Sequence, residues 1–337
     1  MMNEYIKKLI EGQDLTIQEA NAAMDTIMSG EATSAQIGSY LTALRMKGET
    51  IEEITGCAKG MRERCIQLVG KGDLMDIVGT GGDCTNTFNV STVSSFVVAA
   101  GGVKIAKHGN RSVSSKCGSA DVLEALGVKL DLTKEQNESV LEKTGICFMF
   151  APIYHSAMKY VAAPRKELGV RTIFNILGPL ANPAYANLQV MGVYSEELVE
   201  PMAKVLSNLG VKRAMVVHGA DGVDEVSICG LTKVCEVRED GLRSYMINPV
   251  ELGLRLAKPE EIKGGLAEEN KEIALSILRG EKGAKRDMVL INSAVALYTA
   301  LDDITLKECV EMAAELIDSG KALEKMQDFV NATRAFN

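Results

Sequence analysis

Hydrophobic and polar positions follow two different periods along this chain, and the change falls near residue 70. Over residues 3–66 the apolar positions recur at helical spacing: Ala20, Ala23, Met24 and Ile27, then Ile37, Tyr40, Leu41 and Leu44, then Ile54, Cys57, Ala58 and Met61. Each set follows a Thr with Glu or Gln three residues later, at Thr16–Glu19, Thr33–Gln36 and Thr50–Glu53. In such a capping box two orphan backbone N–H groups are satisfied reciprocally, so each pair predicts a helix start. Gly30 and Gly48 stand where C-terminal caps belong. The expectation is a small all-helical unit of about four helices.

From Leu74 short apolar runs alternate with helical patterns. Strands are predicted over 74–78, 103–107, 146–150, 189–194 and 213–218, and helices beginning near Asn89, Ser119, Thr133 and Glu196. Ser119 is expected to cap the second of these helices. Such alternation predicts an α/β domain with a mostly parallel sheet flanked by helices. Past Leu231 the strands read as less regular, with helices near 270–279, 289–301 and 306–319. Linkers are expected near Gly70–Gly72 and Pro164, and the prolines and glycines of 163–183 read as a rigid, irregular connection. The 337 residues divide on this reading into a helical domain, 1–70 joined by part of 160–185, and an α/β domain, 71–337.

Composition removes several function classes. The net charge of -8 disfavours non-specific nucleic-acid binding, which draws its affinity from phosphate neutralisation by Lys and Arg. It leaves room for a small anion in a locally basic pocket. No run reaches the length of a membrane span, and the N-terminal stretch has no apolar h-region of a signal peptide. The 8 cysteines contain no Cys-x-x-Cys pair, and 3 histidines offer no zinc spacing, so the cysteines read as reduced core residues of a cytoplasmic protein.

Candidate chemistry gathers in loops that follow predicted strands, at the end of an open α/β sheet where ligands bind. After the first strand comes Gly79-Thr-Gly-Gly-Asp83, then Thr85, Thr87 and Asn89-Val90-Ser91-Thr92 at a helix start. Glycine permits close backbone approach, and helix-start amides suit a phosphate. An ordinary tight βα turn would carry the same glycines, but so many short hydrogen-bonding side chains favour an anion site. After the second strand Lys107-His108-Gly109-Asn110-Arg111 is the strongest basic cluster of an acidic chain, with serines at 112, 114, 115 and 119. Facing a glycine loop, it reads as a clamp for a polyphosphate. Asp224-Glu225 could hold Mg²⁺ if the pocket takes a diphosphate, although adjacent carboxylates beside Gly222 are more often a surface turn. Arg165 could bind a carboxylate with both prongs or simply be exposed. His155 and His218 read as structural, and His108 as a weak candidate for moving a proton.

Taken in order, Asp76–Asp83, Asn89–Thr92, Lys107–Arg111, Arg171–Asn175 with Gly178-Pro-Leu, and Asp224-Glu225 resemble the anthranilate phosphoribosyltransferase family, over nearly the whole chain. That family catalyses the second step of tryptophan biosynthesis and joins a helical domain, which carries a homodimer contact, to an α/β domain related to pyrimidine nucleoside phosphorylases. The resemblance implies that 5-phosphoribosyl-1-diphosphate lies on Gly79, Gly82, Asp83, Thr87, Asn89, Val90, Ser91, Thr92, Lys107, His108, Gly109, Asn110, Arg111, Ser112, Val113, Ser114, Ser115 and Ser119. It implies anthranilate near Gly79, Asn110 and Arg165, and Mg²⁺ on Ser91, Asp224 and Glu225. Lys107, Asn110 and Arg165 become the expected catalytic residues, and Asp83 an acceptor for ribose hydroxyls or a shaper of the loop. The family pattern has Pro, His and Pro where this chain has Ser156, Tyr160 and Leu231. Two alternatives remain: a pyrimidine nucleoside phosphorylase, which would want base-reading residues in place of the acidic pair, and a non-enzymatic nucleic-acid-binding relative, which should be basic.

Overall fold

A computed structural model describes residues 1–83, 85–112 and 116–336. The chain opens with four helices, α1 (Met2–Ile10), α2 (Ile17–Met28), α3 (Ser34–Lys47) and α4 (Ile51–Glu63). Thr16, Thr33 and Thr50 form the three capping boxes expected of them, each hydroxyl accepting from the backbone N–H three residues on. Then follow β1 (Met75–Gly79), α5 (Val90–Ala100), β2 (Ile105–Gly109), α6 (Ser119–Leu126), α7 (Lys134–Thr144) and β3 (Ile146–Phe150). A short α8 (Ala151–Tyr154) leads to α9 (Lys159–Leu168) and α10 (Phe174–Leu180). The sheet resumes with β4 (Leu188–Gly192), α11 (Val199–Asn208), β5 (Arg213–Gly219), β6 (Thr232–Arg238) and β7 (Gly241–Ile247). The chain closes with α12 (Ala267–Leu278), α13 (Ala284–Ala300), α14 (Leu306–Asp318) and α15 (Lys321–Arg334).

The seven strands form one sheet in the order β3-β2-β1-β4-β5-β6-β7. Strands β1 to β5 are parallel, and β6 and β7 add an antiparallel hairpin at one edge. The expected architecture of a helical unit plus a mostly parallel sheet flanked by helices is therefore present. From β1 the chain builds outward to β2 and β3, then returns to place β4 on the other flank of β1. Between β1 and β4 the winding reverses, so their outgoing loops diverge and leave a crevice beyond the carboxyl ends.

One face of the sheet packs on α5, α13, α14 and α15 in a core that includes Phe96, Val97, Ile291 and Phe329. The other face, with Met191 and Val216, shares a core with the four N-terminal helices, α10 and α11. Helix α5 carries only apolar and small hydroxyl side chains and is nearly wholly enclosed, as befits a helix sandwiched between sheet and helices.

Four readings of the sequence need correction. Segment 163–183 is helical: α9 contains Pro164 and α10 contains Pro179. Pro164 lies inside the helix rather than in a linker, and it removes a single ladder donor while Val161 and Pro164 itself are buried. Gly118, not Ser119, caps α6, with Asp121 closing the box. The stretch after Leu231 forms a regular hairpin of two seven-residue strands, whose outer strand is mostly exposed and so lacks a strong apolar signal. A final helix, α15, extends beyond the expected ones.

Candidate active site

The site is built from the loop after β1, the loop after β2 and the turn after β5, all at the carboxyl ends of parallel strands. Gly79 ends β1 beside Gly192 of β4. Both must be glycine because the acidic turn lies against them: a Cβ on Gly79 would stand 2.3 Å from Asp224 Oδ2, and one on Gly192 only 1.6 Å from the Asp224 carbonyl oxygen. Asp224 Oδ2 accepts from the Gly81 N–H at 2.7 Å, and Glu225 Oε1 accepts from the Ser91 N–H at 3.2 Å in the first turn of α5. The acidic pair is thus part of the crevice and not a surface turn. Asp83 also lies within hydrogen-bond reach of Asp224 and accepts from the Thr85 backbone and hydroxyl.

Burial first, and then the neighbouring carboxylates, push Asp224 and Glu225 above the ordinary carboxyl range. Three carboxyl groups converge here, and Lys107 is the basic group beside them. Its ammonium is buried, donating to the Ile77 carbonyl at 2.5 Å and to Ser91 Oγ at 3.3 Å. Desolvation lowers the Lys107 pKa although Asp76 and Glu225 oppose that shift. Asp76, fully buried on β1, is raised to about 6 by burial. It accepts from the His108 N–H at 3.3 Å and from Asn182 Nδ2 at 2.7 Å. Asn182 also donates to the Ala106 carbonyl at 2.9 Å, so it ties β1 to β2 beneath the site.

The basic loop is held from behind. Asp121 Oδ2 accepts from the Ser112 N–H at 3.0 Å and the Gly118 N–H at 2.8 Å, fastening both arms of the loop to α6. Arg111 turns its guanidinium onto Asp121 and Glu124 at 3.0 and 2.8 Å, so its charge stabilises this scaffold rather than facing β1. Asn110 is exposed; its carbonyl accepts from the Ala120 N–H at 3.2 Å and from Ser119 Oγ at 3.3 Å. His108 is buried at the end of β2, its ring centroid 5.0 Å from that of His155. Burial lowers the two imidazoles to about 3 and about 4. His155 Nε2 bonds the Ala181 carbonyl at 2.9 Å and His218 Nδ1 the Val193 carbonyl at 2.7 Å, which fits structural roles for both.

Gly82, Asp83 and Thr87 lie on the first loop, where Thr87 forms a β-bridge with Lys263. Asn89 precedes α5, and Val90, Ser91 and Thr92 form its first turn. Gly109 ends β2. Val113, Ser114 and Ser115 lie outside the described residues. Arg165 stands apart on α9, half-buried, with its guanidinium 5.0 Å above the Phe174 ring. It makes no ion pair among the described residues, and burial alone lowers its pKa. A desolvated guanidinium without a carboxylate is suited to receive one from a ligand.

Two contributors carry no strong sequence signal. Arg171 stacks over Tyr194 at 4.2 Å and donates to the Gly82 carbonyl at 2.6 Å, anchoring the first loop. Asp121 could have been read from its place three residues after Gly118. Arg171 opens the Arg171–Asn175 motif, but its contact could not be read, since the partner is a backbone atom 89 residues away.

Residues 71–323 match the family model described as glycosyl transferase family, a/b domain, and residues 3–65 match the glycosyl transferase family, helical bundle domain. Anthranilate phosphoribosyltransferase of Ruminiclostridium cellulolyticum is 58% identical over 337 residues, covering 100% of this chain and 99% of the relative. The enzyme of the same name from Endomicrobium trichonymphae is 58% identical, covering 99% of each. Among solved structures, anthranilate phosphoribosyltransferase from Thermus thermophilus superposes with a TM-score of 0.93 at 44% identity, covering 98% of this chain and 99% of that one. The Saccharomyces cerevisiae enzyme in complex with PRPP and Mg gives 0.92 at 29% identity, over 99% and 98% of the two chains.

Proposed function

The chain belongs to the glycosyl transferase family in both its helical bundle and its a/b domain, and from that premise we propose that it is an anthranilate phosphoribosyltransferase. It transfers the 5-phosphoribosyl group from 5-phosphoribosyl-1-diphosphate to the amino group of anthranilate, in the tryptophan branch of aromatic amino acid synthesis. The observation that carries this reading is the convergence of Asp224, Glu225 and Lys107 on the glycine loop and the α5 N-terminus. A triply acidic pocket with one buried ammonium suits a diphosphate that arrives with a divalent cation better than a bare phosphate or a nucleobase.

Mg²⁺ fits this donor set, on Ser91, Asp224 and Glu225. Burial, and then repulsion from Asp83 on Asp224 and from Asp224 on Glu225, raises both carboxylates. Among the described residues no cluster of three His, Cys, Asp or Glu side chains forms a cage, which suits a cation that completes its shell with water and substrate oxygens. When bound, it neutralises charge on the diphosphate.

In the reaction the anomeric C–O bond to pyrophosphate breaks and a C–N bond to anthranilate forms, while the amine gives up one proton. Negative charge grows on the departing diphosphate as the ribose gains oxocarbenium character. Lys107 and the amides of the first loop and α5 face that growing charge and stabilise it without reorganising. Arg165 holds the anthranilate carboxylate, and Asn110 aligns the amine. No protein nucleophile is needed. The neutral, desolvated His108 borders this crevice without an acid–base partner of suitable pKa. Asp83 shapes its loop through Thr85 and is placed to accept from ribose hydroxyls.

The helical domain, 1–70 joined by part of 160–185, supports a homodimer, with Met1, Ile10 and Met46 exposed on it. Free thiols at Cys57, Cys65, Cys147, Cys229, Cys235 and Cys309 support a cytoplasmic setting, and no helix among the described residues is long and apolar enough to cross a membrane. Loss of anthranilate fluorescence on adding the diphosphate sugar and Mg²⁺, and not when either is omitted, tests the activity. Phosphorolysis of thymidine or uridine instead would replace the reading with a nucleoside phosphorylase.

A further inference from the structure

Behind the first loop runs a segment that the reaction does not call on. Residues 262–265 lie alongside 86–88: the Gly264 N–H donates to the Asn86 carbonyl at 2.9 Å, the Phe88 N–H to the Ile262 carbonyl at 3.4 Å, and Thr87 bridges Lys263. The approach is close enough that a Cβ on Gly264 would stand 2.6 Å from the Phe88 Cα. In the first turn of α12 this segment delivers Asn270, which is 2% exposed. Its Oδ1 accepts from the Gly265 N–H at 2.7 Å, and its Nδ2 donates to Asn89 Oδ1 at 2.9 Å. Asn89 in turn donates from Nδ2 to the Cys117 carbonyl at 3.1 Å.

The chain of amides Gly265–Asn270–Asn89–Cys117 therefore joins α12 to the start of α5 and to the closing arm of the basic loop. Its polarity is fixed throughout. Gly265 offers only a donor, so Asn270 must present oxygen to it and nitrogen to Asn89. Asn89 must then turn its oxygen to Asn270 and its nitrogen to the Cys117 carbonyl. Neither amide can flip without opposing two oxygens or two N–H groups.

We infer that Asn270 is a positioning residue for the phosphoribosyl-diphosphate site, holding the two loops in register through Asn89. The inference rests on the transferase reading and extends it to a residue that never touches substrate. The two loops meet the same diphosphate sugar from different strands, so a small change in their separation spoils several contacts at once. Arg165, which meets anthranilate from α9, shares no hydrogen bond with this chain of amides among the described residues.

Asn270→Asp tests it with little change of shape. The carboxylate still accepts from Gly265, so the α12 start is retained, but it cannot donate to Asn89. Whichever way Asn89 then turns, it loses either Asn270 or Cys117. Affinity for phosphoribosyl diphosphate with Mg²⁺, read by calorimetry, should fall about tenfold, the loss of one buried hydrogen bond. The KM for anthranilate should rise by clearly less than that, because Arg165 on α9 keeps its place. In an Asn89→Ala background the same substitution should add clearly less, because the route through Asn89 is gone and only the direct contact of Asn270 with the Cys117 thiol still reaches the basic loop. A merely structural Asn270 predicts the same added loss in both backgrounds, and that result would overturn the inference. So would wild-type affinity in a folded Asn270→Asp. If the unsubstituted protein neither binds phosphoribosyl diphosphate nor consumes anthranilate, the transferase reading falls first, and the inference with it.

Discussion

The helical bundle and the crevice both bury acidic side chains, and they treat them in opposite ways. In the bundle Glu53 is fully enclosed, yet it accepts from the Leu15 N–H at 3.0 Å, the Thr50 N–H at 2.8 Å and Lys47 Nζ at 3.0 Å. Its charge is answered on every side. In the crevice Asp224 and Glu225 lie beside each other and near Asp83, with Lys107 divided between a carbonyl and Ser91. The bundle pairs its carboxylate with a lysine and backbone donors, whereas the crevice gathers three carboxyl groups around one ammonium, as the proposed substrate and cation would require. Burying charge is costly unless it is paired, so the unbalanced region marks where the molecule expects a ligand.

The strongest way to break that contrast is to neutralise the crevice. Asp224→Asn with Glu225→Gln should lower kcat by about 10²–10³, read by anthranilate fluorescence at limiting Mg²⁺; near-normal turnover would remove the pair from metal binding. The same double variant should melt at a higher temperature than the parent in the absence of Mg²⁺, because it relieves a repulsion. The bundle should respond in reverse. Glu53→Ala, which leaves the Leu15 and Thr50 N–H groups without an acceptor and Lys47 with Asp14 as its one carboxylate, should cost about 3 kcal/mol in denaturant unfolding while substrate KM values stay put. A comparable change in KM would mean that the bundle takes part in the chemistry.

On the second-substrate side, Arg165→Ala should raise the anthranilate KM about tenfold or more, the value of a charge-assisted pair, and leave phosphoribosyl diphosphate affinity nearly unchanged. The opposite pattern would move Arg165 to the sugar site. Stability should also depend on pH. His108 and His155 have folded pKa values depressed to about 3 and about 4, so below about pH 6.5 the unfolded chain binds protons that the fold does not. Stability should therefore be full above that pH and fall as pH drops toward 4, by up to about 1.4 kcal/mol per unit for each imidazole. His155→Gln should flatten the slope; an unchanged slope would show that the imidazoles are protonated in the fold.

What could be read from the residues was what local chemistry writes down. Thr16, Thr33 and Thr50 announce their helices through partners three residues away, and the glycine loop announces itself by composition. Helices α9 and α10 were hidden because Pro164 and Pro179 speak locally against them, while the buried faces that hold them in place, with Val161, Ile176 and Leu177, are supplied by distant helices. The contact of Arg171, and Asn270 altogether, stay out of sight in the sequence for a related reason. A single Arg or Asn has no pattern until the fold brings Gly82 or Asn89 to it. Gly192 had no motif at all, and only the approach of Asp224 explains it.

Helix α5 carries the anion-facing amides at residues 90–92, yet the surfaces that enclose it belong to α13, α14 and α15, with Phe329 against Phe96. During synthesis the glycine loop leaves the ribosome long before those helices exist. A nascent chain halted before residue 284 would hold a complete parallel sheet and an α5 with its apolar back open to water. Assembly of the catalytic crevice is therefore among the last events of translation, and until then this stretch is the one most exposed to chaperones and to aggregation.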